Sequence, residues 1–148
     1  MKISVRFTAA VHTLLCIQYF EKDNRVTSAF ISGSTGVNAV IIRKILLQLQ
    51  KAGLVTTAPG VGGSHLAKQP KDITLCDVYR AINEGEEERS VFNFHPTPNA
   101  KCPVGGNIHT VLDASLANAT AALEAELAKT TIADLLHQLD RKSTRLNS

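Results

Sequence analysis

The stretch that decides the fold is "NAVIIRKILLQLQKAGLVTTAPGVGGSHLAK", residues 38–68. Its first half repeats apolar residues at three- and four-residue steps, which predicts an amphipathic helix capped by Asn38 and stopped by Gly53. Arg43 and Lys44 lie on the polar side of this helix. The residues of the predicted apolar stripe are Ile41, Ile42, Ile45, Leu46, Leu49 and Ala52.

The second half of the stretch predicts a β-hairpin. Two β-capable runs, residues 54–57 and 64–68, flank a tip that contains Pro59 and three glycines. The glycine-rich tip could also belong to a phosphate-binding loop. A β-capable run follows it instead of a helix, however, and no G-K-[ST] motif is present, so the hairpin is preferred.

The segment before this stretch supplies a partner helix. The sequence "VTSAFISGSTGV", residues 26–37, predicts a short helix that Thr27 or Ser28 caps and that ends near Gly33, followed by a tight turn. A short helix, a turn and a longer helix with a basic face are typical of a helix-turn-helix. A hairpin directly after the second helix is a wing. A further amphipathic helix is predicted over residues 3–20.

The second part of the chain is predicted to be helical. Thr74 can cap one helix, a long alanine-rich helix follows from about Pro103 to Ala128, and Thr131 can cap a short final helix. A small domain cannot bury all the apolar surface of so long a helix, which predicts that it pairs with a second copy of the chain. The fold class is therefore mainly α with a small β-hairpin. Its predicted parts are a winged helix-turn-helix domain over 1–84, a linker loop over 85–102, a dimerisation helix and a closing helix over 103–140, and a disordered or non-native tail over 141–148.

Composition excludes several classes of protein. Apolar residues make up 44% of the chain but aromatic residues only 5%, so the core must be aliphatic. No apolar run approaches the roughly 18 residues of a membrane span, and the first residues lack a secretion signal, so a cytoplasmic protein without a membrane partner is expected. The three scattered cysteines predict neither a disulfide framework nor a zinc site. Without any catalytic motif, no enzyme activity is expected.

Charge divides the chain into two halves. Residues 1–72 carry nine Lys or Arg and three Asp or Glu, whereas residues 73–140 carry four and ten. A basic half next to a helix-turn-helix indicates a polyanionic partner, and the partner expected is double-stranded DNA.

The motifs of the chain resemble one family, the bacterial Rrf2 family of winged-helix transcription regulators. The matching pieces are "RFTAAVHTLL", "ILLQLQKAGLV", "GVGGSHLAK", "ITLCDVYRAI" and "TTIADLL". The resemblance implies that the second helix of the motif enters the major groove, that the wing reaches the minor groove, and that the long helix forms a homodimer. Many members carry an arginine before the first wing glycine, where this chain has Pro59.

The expected DNA contacts lie on three segments. Arg43 can form two parallel hydrogen bonds with a guanine, Val40 can contact a thymine methyl, and Lys44 suits a phosphate. Glycines in the wing leave room for a phosphate to approach the backbone. The full set of expected DNA-binding residues is Lys2, Arg6, Ser34, Thr35, Asn38, Ala39, Val40, Arg43, Lys44, Gly60, Gly62, Gly63, Ser64 and His65.

Cys102 lies in "HPTPNAKCPVGG", residues 95–106, just before the long helix. Pro103 suits a first helical position, so Cys102 is the expected N-cap, where free backbone amides and Lys101 favour the thiolate. The family members that bind an iron–sulfur cluster carry three cysteines in the loop before the long helix, and the resemblance implies that Cys102 matches the last of them. This chain has only Cys102, so neither a cofactor nor a metal is expected.

The function expected is that of a sequence-specific DNA-binding regulator, a homodimeric repressor that responds to thiol oxidation or electrophiles through Cys102. A plain helix cap is an equally good interpretation of that cysteine. For the whole chain, two further functions stay open. One is that of a DNA-binding regulator that senses a small molecule in a pocket between its domains, and the second is that of a helical dimeric module without DNA specificity.

Overall fold

The computed structural model describes residues 5–57, 63–83, 92 and 94–146. Within these ranges no single helix is long and apolar enough to cross a membrane, and one bent helix pair passes that test by length and composition only. The elements are α1 (Val5–Phe20), α2 (Ser28–Thr35), α3 (Ala39–Lys51), β1 (Val55–Thr57), β2 (Ser64–Leu66), a 3₁₀ turn (Pro70–Asp72), α4 (Leu75–Ile82), α5 (Ile108–Leu127) and α6 (Ile132–Leu146).

Helices α2 and α3 form the predicted helix-turn-helix. The chain bends by 113° between them, a geometry typical of the motif. Thr27 caps α2 by accepting a hydrogen bond from the Phe30 amide, and Asn38 caps α3 by accepting one from the Val40 amide. Helix α2 continues past Gly33 and ends at Thr35, later than predicted. It ends there because Gly36 has the left-handed backbone conformation (φ 73°) that stops the helix.

One face of α3 forms the centre of the core. Ile42, Ile45 and Leu49 are fully buried against α1, α4 and β1. The predicted stripe was too wide, because Ile41 is 41% exposed and Ala52 lies at the surface. Helix α3 therefore keeps one continuous side free of the core.

Helix α1 packs beside α3 and is joined to it by a polar contact. The Arg6 guanidinium donates to Gln48 Oε1 at 2.7 Å, and the Gln48 amide donates to the Ile82 carbonyl at 3.1 Å. This relay links α1, α3 and α4 through side chains that are half-buried. Such partly buried hydrogen bonds fix the relative positions of the three helices.

The hairpin is antiparallel and pairs Val55 with Leu66 and Thr57 with Ser64. Its strands are shorter than predicted at Leu54 and Lys68. The Ser64 amide donates to the Val26 carbonyl at 2.9 Å, so the hairpin also pairs with the segment before α2.

Helices α4 and α6 begin side by side. Thr74 and Asp77 form a capping box at α4, and Thr131 and Asp134 exchange the same two hydrogen bonds at α6. The two threonines pair in an antiparallel β-bridge, flanked by the buried side chains of Ile73 and Ile132. This bridge and the contact of α6 with α1 hold the end of the chain against the winged domain.

Helix α5 has no buried residue in a single chain. It begins at Ile108 after Asn107, so the prediction of a start at Pro103 was wrong. The closing helix is longer than predicted, since α6 runs on to Leu146 through most of the segment 141–148 that was expected to be disordered. Fold class is otherwise as predicted: mainly α with a two-stranded hairpin.

Gly63 and Gly33 give a matched test of packing. A Cβ on Gly63 would lie 2.5 Å from the backbone nitrogen and oxygen of Val26, whereas a Cβ on Gly33 meets nothing within 4 Å. We expect Gly63→Ala to lower the free energy of unfolding by about 1–3 kcal/mol through overpacking. Gly33→Ala, inside a helix, should raise it by about 0.5–1 kcal/mol. Urea unfolding at one protein concentration measures both, and equal midpoints would contradict the Gly63 contact.

Candidate nucleic-acid interface and thiol site

The exposed side of α3 carries the predicted recognition residues. Asn38 lies at the start of the helix and is exposed, and its Oδ1 accepts from the Val40 amide at 2.7 Å. Arg43 and Lys44 are exposed one turn further along. Burial of the opposite face therefore directs these side chains to the solvent together.

Apolar side chains accompany the basic residues on this surface. Val40 is 49% exposed and Leu47 58% exposed, next to the exposed Ile41. Sequence reasoning missed Leu47 as a surface residue and assigned Ile41 to the core. A stripe that begins at Ile42 instead of Ile41 would have left both Ile41 and Leu47 at the surface. Apolar side chains on such a helix suit thymine methyl groups.

A groove separates α3 from the hairpin. Its volume is about 370 Å³, and Arg43, Leu47 and Gln50 line it opposite Thr57 and Ser64. The side of α3 that carries Arg43 therefore faces the base of the hairpin, and helix and hairpin border one continuous surface.

Three predicted residues of the first helices have partners inside the protein. Arg6 is half-buried and donates to Gln48. Ser34 Oγ lies 2.9 Å from Nε2 of His12, and Thr35 Oγ1 donates to the Ile31 carbonyl at 2.9 Å. These contacts give the three side chains a role in holding α1 and the turn, which sequence reasoning missed.

The wing residues divide into two groups. Gly63 and Ser64 are buried, Ser64 being only 3% exposed, because this segment lies against Val26. Both residues also line the groove beside α3, so their contact with DNA stays a prediction. His65 is exposed, and its Nδ1 lies 3.5 Å from a carboxylate oxygen of Glu21. The remaining predicted contacts, Lys2, Gly60 and Gly62, lie outside the described residues, as does Pro59.

Cys102 lies in a series of turns before α5, with Asn107 between it and the helix start. Its prediction as the N-cap of that helix was wrong. The turn nevertheless aims backbone amides at the sulfur: hydrogen bonds from Gly105 and Val104 lower the pKa of the Cys102 thiol. The side chain is half-buried and therefore partly accessible to solvent. The lowered pKa increases the fraction of the thiol that is ionised, and the thiolate is the reactive form.

The other two cysteines are in opposite surroundings. Burial raises the pKa of the Cys16 thiol, against a smaller lowering by the Ser34 hydroxyl. Burial likewise raises the pKa of the Cys76 thiol, and the nearby Arg80 guanidinium lowers it less. Both side chains are 4% exposed and remain protonated at neutral pH, as predicted for packing residues.

Comparison with known proteins gives a consistent result. The profile of the Rrf2 family, described as iron-dependent transcriptional regulators, matches residues 3–138. YwnA of Bacillus subtilis, named as an HTH-type transcriptional regulator, is 37% identical over 137 residues, which cover 93% of this chain and 98% of YwnA. A crystal structure described as that of a DNA-binding protein is 33% identical, with a TM-score of 0.68, over 88% of this chain and 98% of that one. A transcriptional regulator from Lactobacillus plantarum is 29% identical, with a TM-score of 0.76, over 98% of this chain and 96% of that one.

The possible metal-binding side chains of the described residues do not fit an iron centre. Among the described residues no three His, Cys, Asp or Glu side chains come together in a way that could hold a metal ion. Cys16 and Cys76 are buried in α1 and α4, so Cys102 is the one thiol of its loop. A cluster held by protein thiolates needs several of them at one place.

The three cysteines should differ in reactivity toward iodoacetamide. We expect Cys102 to be alkylated first at neutral pH, because its lowered pKa gives it a larger thiolate fraction than Cys16 or Cys76. Its rate should also rise at a lower pH than that of a free cysteine. Peptide mass spectrometry over time measures the order, and unfolding in guanidinium should equalise the rates. Earlier labelling of Cys16 or Cys76 would contradict the assigned environments.

Proposed function

The chain belongs to the Rrf2 family of DNA-binding transcriptional regulators, and we propose that it is a homodimeric repressor of a palindromic operator. The observation that carries the proposal is the surface of α3, where basic and apolar side chains are exposed together beside the hairpin. The proposed organisation keeps the winged domain over residues 1–84, the linker over 85–102 and the dimerisation segment over 103–140.

In the proposed complex α3 enters the major groove from its N-terminal end. Asn38, Ala39 and Val40 then meet base edges at the helix entry, and Arg43 pairs with a guanine through two parallel hydrogen bonds. Lys44 contacts a phosphate and so supplies affinity without sequence information.

The hairpin lies over the neighbouring backbone of the same DNA. In this arrangement its groove with α3 takes a sugar–phosphate segment beside Arg43, and His65 is exposed on β2. Salt weakens such contacts steeply, because each phosphate that is neutralised releases counterions. Lys2, Gly60 and Gly62 complete the proposed set of contacts.

Dimerisation is proposed to use α5. The helix has no buried residue in one chain, while Val111 and Leu112 near its start are exposed apolar side chains. Leaving such a helix in water forgoes the stabilisation that a second copy would give by covering it. Two chains related by a twofold axis place their α3 helices in successive major-groove turns, which requires a palindromic operator. Occupancy of a promoter by this dimer excludes RNA polymerase without any further contact.

A thiol switch at Cys102 is proposed to control that occupancy. Hydrogen peroxide transfers one oxygen atom to the thiolate form of Cys102, and a proton from solvent completes the products, a sulfenic acid and one water molecule. The hydrogen bonds from the Val104 and Gly105 amides then meet a larger, neutral group in place of the unmodified sulfur. Since this turn leads directly into α5, the change reaches the dimer helix and alters the spacing of the two α3 helices.

Arg43 and Lys44 separate base reading from phosphate binding. Arg43→Ala should lose about 1–3 kcal/mol of discrimination at one base pair in each half-site. Lys44→Ala should weaken binding to all DNA sequences by a similar factor. It should also reduce by about one the slope of the logarithm of the binding constant against the logarithm of salt concentration. Fluorescence anisotropy with a selected operator and a scrambled duplex measures both, with Lys22→Ala, in the turn after α1, as the charge-matched control. If both variants bind like the control, α3 is not the recognition helix.

Val111 tests the dimer helix. It is 70% exposed in one chain, so Val111→Glu should change the free energy of monomer unfolding by no more than about 0.5 kcal/mol. In the dimer the new carboxylate would be buried without a partner, and we expect dissociation into monomers. Sedimentation equilibrium measures the mass, with Asn24→Glu placing the same charge on a distant turn. An unchanged dimer mass for Val111→Glu would place the interface elsewhere.

Cys102 tests the switch. Mild peroxide should change operator affinity by roughly 5–150-fold, the range of an allosteric coupling of about 1–3 kcal/mol. Cys102→Ser should bind the operator as the reduced protein does and should not respond. Mass spectrometry of the same samples reports the oxidation state. Full oxidation of Cys102 with unchanged affinity shows that the thiol only stabilises its turn.

A further inference from the structure

A second cavity of the protein has no residue of α3 among the described residues that line it. Helices α1 and α6 and the end of α2 enclose a groove of about 580 Å³. Val11, Leu15, Tyr19, Phe20 and Leu139 form its apolar walls. Cavities of this size with mostly apolar walls are typical of sites for small molecules.

A compact polar cluster lies in this groove. His12 Nε2 is 2.9 Å from Ser34 Oγ, and the Ser34 hydroxyl also forms a hydrogen bond with the Cys16 thiol. All three side chains line the groove. A hydroxyl that meets an imidazole and a thiol can rotate to donate to or accept from a ligand oxygen. The groove therefore combines apolar walls with a polar cluster, and Thr8 and Lys142 also contribute to its lining.

The cluster is suited to reversible binding and not to covalent capture. Burial raises the pKa of the Cys16 thiol, so at neutral pH the sulfur is a neutral thiol and a poor nucleophile. His12 and Ser34 form no triad with a carboxylate, since no acidic side chain in the described part of the chain lines the groove. A neutral ligand would be held by apolar contact and hydrogen bonds, with Lys142 as the one cationic side chain among the described residues that line the groove.

We propose that this groove binds a small aromatic molecule that carries one hydroxyl group. The ring would pack on the apolar walls, where Tyr19 and Phe20 already meet edge to face with centroids 4.9 Å apart. The hydroxyl would exchange hydrogen bonds with Ser34 and His12. The site deepens the proposed function, on which its regulatory role rests, by adding a ligand that is distinct from the Cys102 thiol.

The position of Ser34 connects the groove with the recognition helix. The next residue, Thr35, accepts a hydrogen bond from the Val37 amide at 3.1 Å, and Ser32 donates to the Val37 carbonyl at 2.6 Å. Gly36, with φ 73°, completes the turn before the Asn38 cap of α3. A ligand that takes over the hydrogen bond of Ser34 therefore acts on the short segment that positions α3.

The test uses two probes, 4-ethylphenol and its methyl ether 4-ethylanisole, in which a methyl group replaces the hydroxyl proton. With the intact, isotope-labelled protein, we expect 4-ethylphenol to shift the amide resonances of residues 34–37, with a dissociation constant of about 1 mM for so small a molecule. The methyl ether should bind about fivefold more weakly, since it cannot donate. The measurement needs no DNA, so its result is independent of the operator and of Cys102.

Four variants make the assignment specific. Ser34→Ala should reduce the difference in affinity between the two probes, and Ser34→Ala combined with His12→Ala should remove it. Thr8→Trp, at the rim of the groove, should abolish binding of both probes. Asn24→Ala, in an exposed turn, should bind as the parent does. Equal affinity of the two probes for the parent protein, or no shift of residues 34–37 at about 5 mM probe, would overturn the proposal.

Discussion

The structure depends first on the burial of one face of α3. Ile42, Ile45 and Leu49 lose all contact with water against α1, α4 and β1, and each buried side chain of this size contributes about 1.5–3 kcal/mol. The same burial decides which residues remain outside. Arg43 and Lys44 are exposed because the helix has only one other side to present. The rotation of α3 about its axis therefore decides both which side chains stabilise the core and which ones form the exposed surface of the helix.

Backbone contacts attach the remaining parts to this centre. The hairpin is held where Gly63 lies against the backbone of Val26. The two backbones are so close that a side chain on Gly63 would have no room. The end of the chain is held where Thr74 and Thr131 pair and each begins a helix. Buried backbone N–H and C=O groups need hydrogen-bond partners. By pairing with each other, these segments satisfy those groups and fix their relative positions without large side chains. They place the hairpin beside α3 and α6 beside α1, and a groove lies at each of these two junctions.

Two chemically different sites follow from this arrangement. Cys102 lies in the turn that leads into α5, and hydrogen bonds from backbone amides lower the pKa of its thiol. Cys16 lies with His12 and Ser34 in an apolar groove and stays protonated because it is buried. In the proposed mechanism the first acts through the dimer helix and the second through the turn before α3. The pKa values of the two thiols shift in opposite directions because their surroundings differ. Hydrogen-bond donors lower the pKa of Cys102, whereas burial away from water raises the pKa of Cys16.

The sequence by itself determined the order of the elements, because apolar periodicity, capping residues and glycines are local signals. Asn38, Thr74 and Thr131 cap the helices that they were predicted to cap. Tertiary structure alone decided the rest, since burial depends on partners that are distant in the chain. It turned Ile41 to the surface, buried Ser64 against Val26, and joined His12 to Ser34 across 22 positions of sequence. The start of α5 was misplaced for a related reason: Pro103 permits a first helical turn, but the turn around Cys102 satisfies those backbone amides with a sulfur instead.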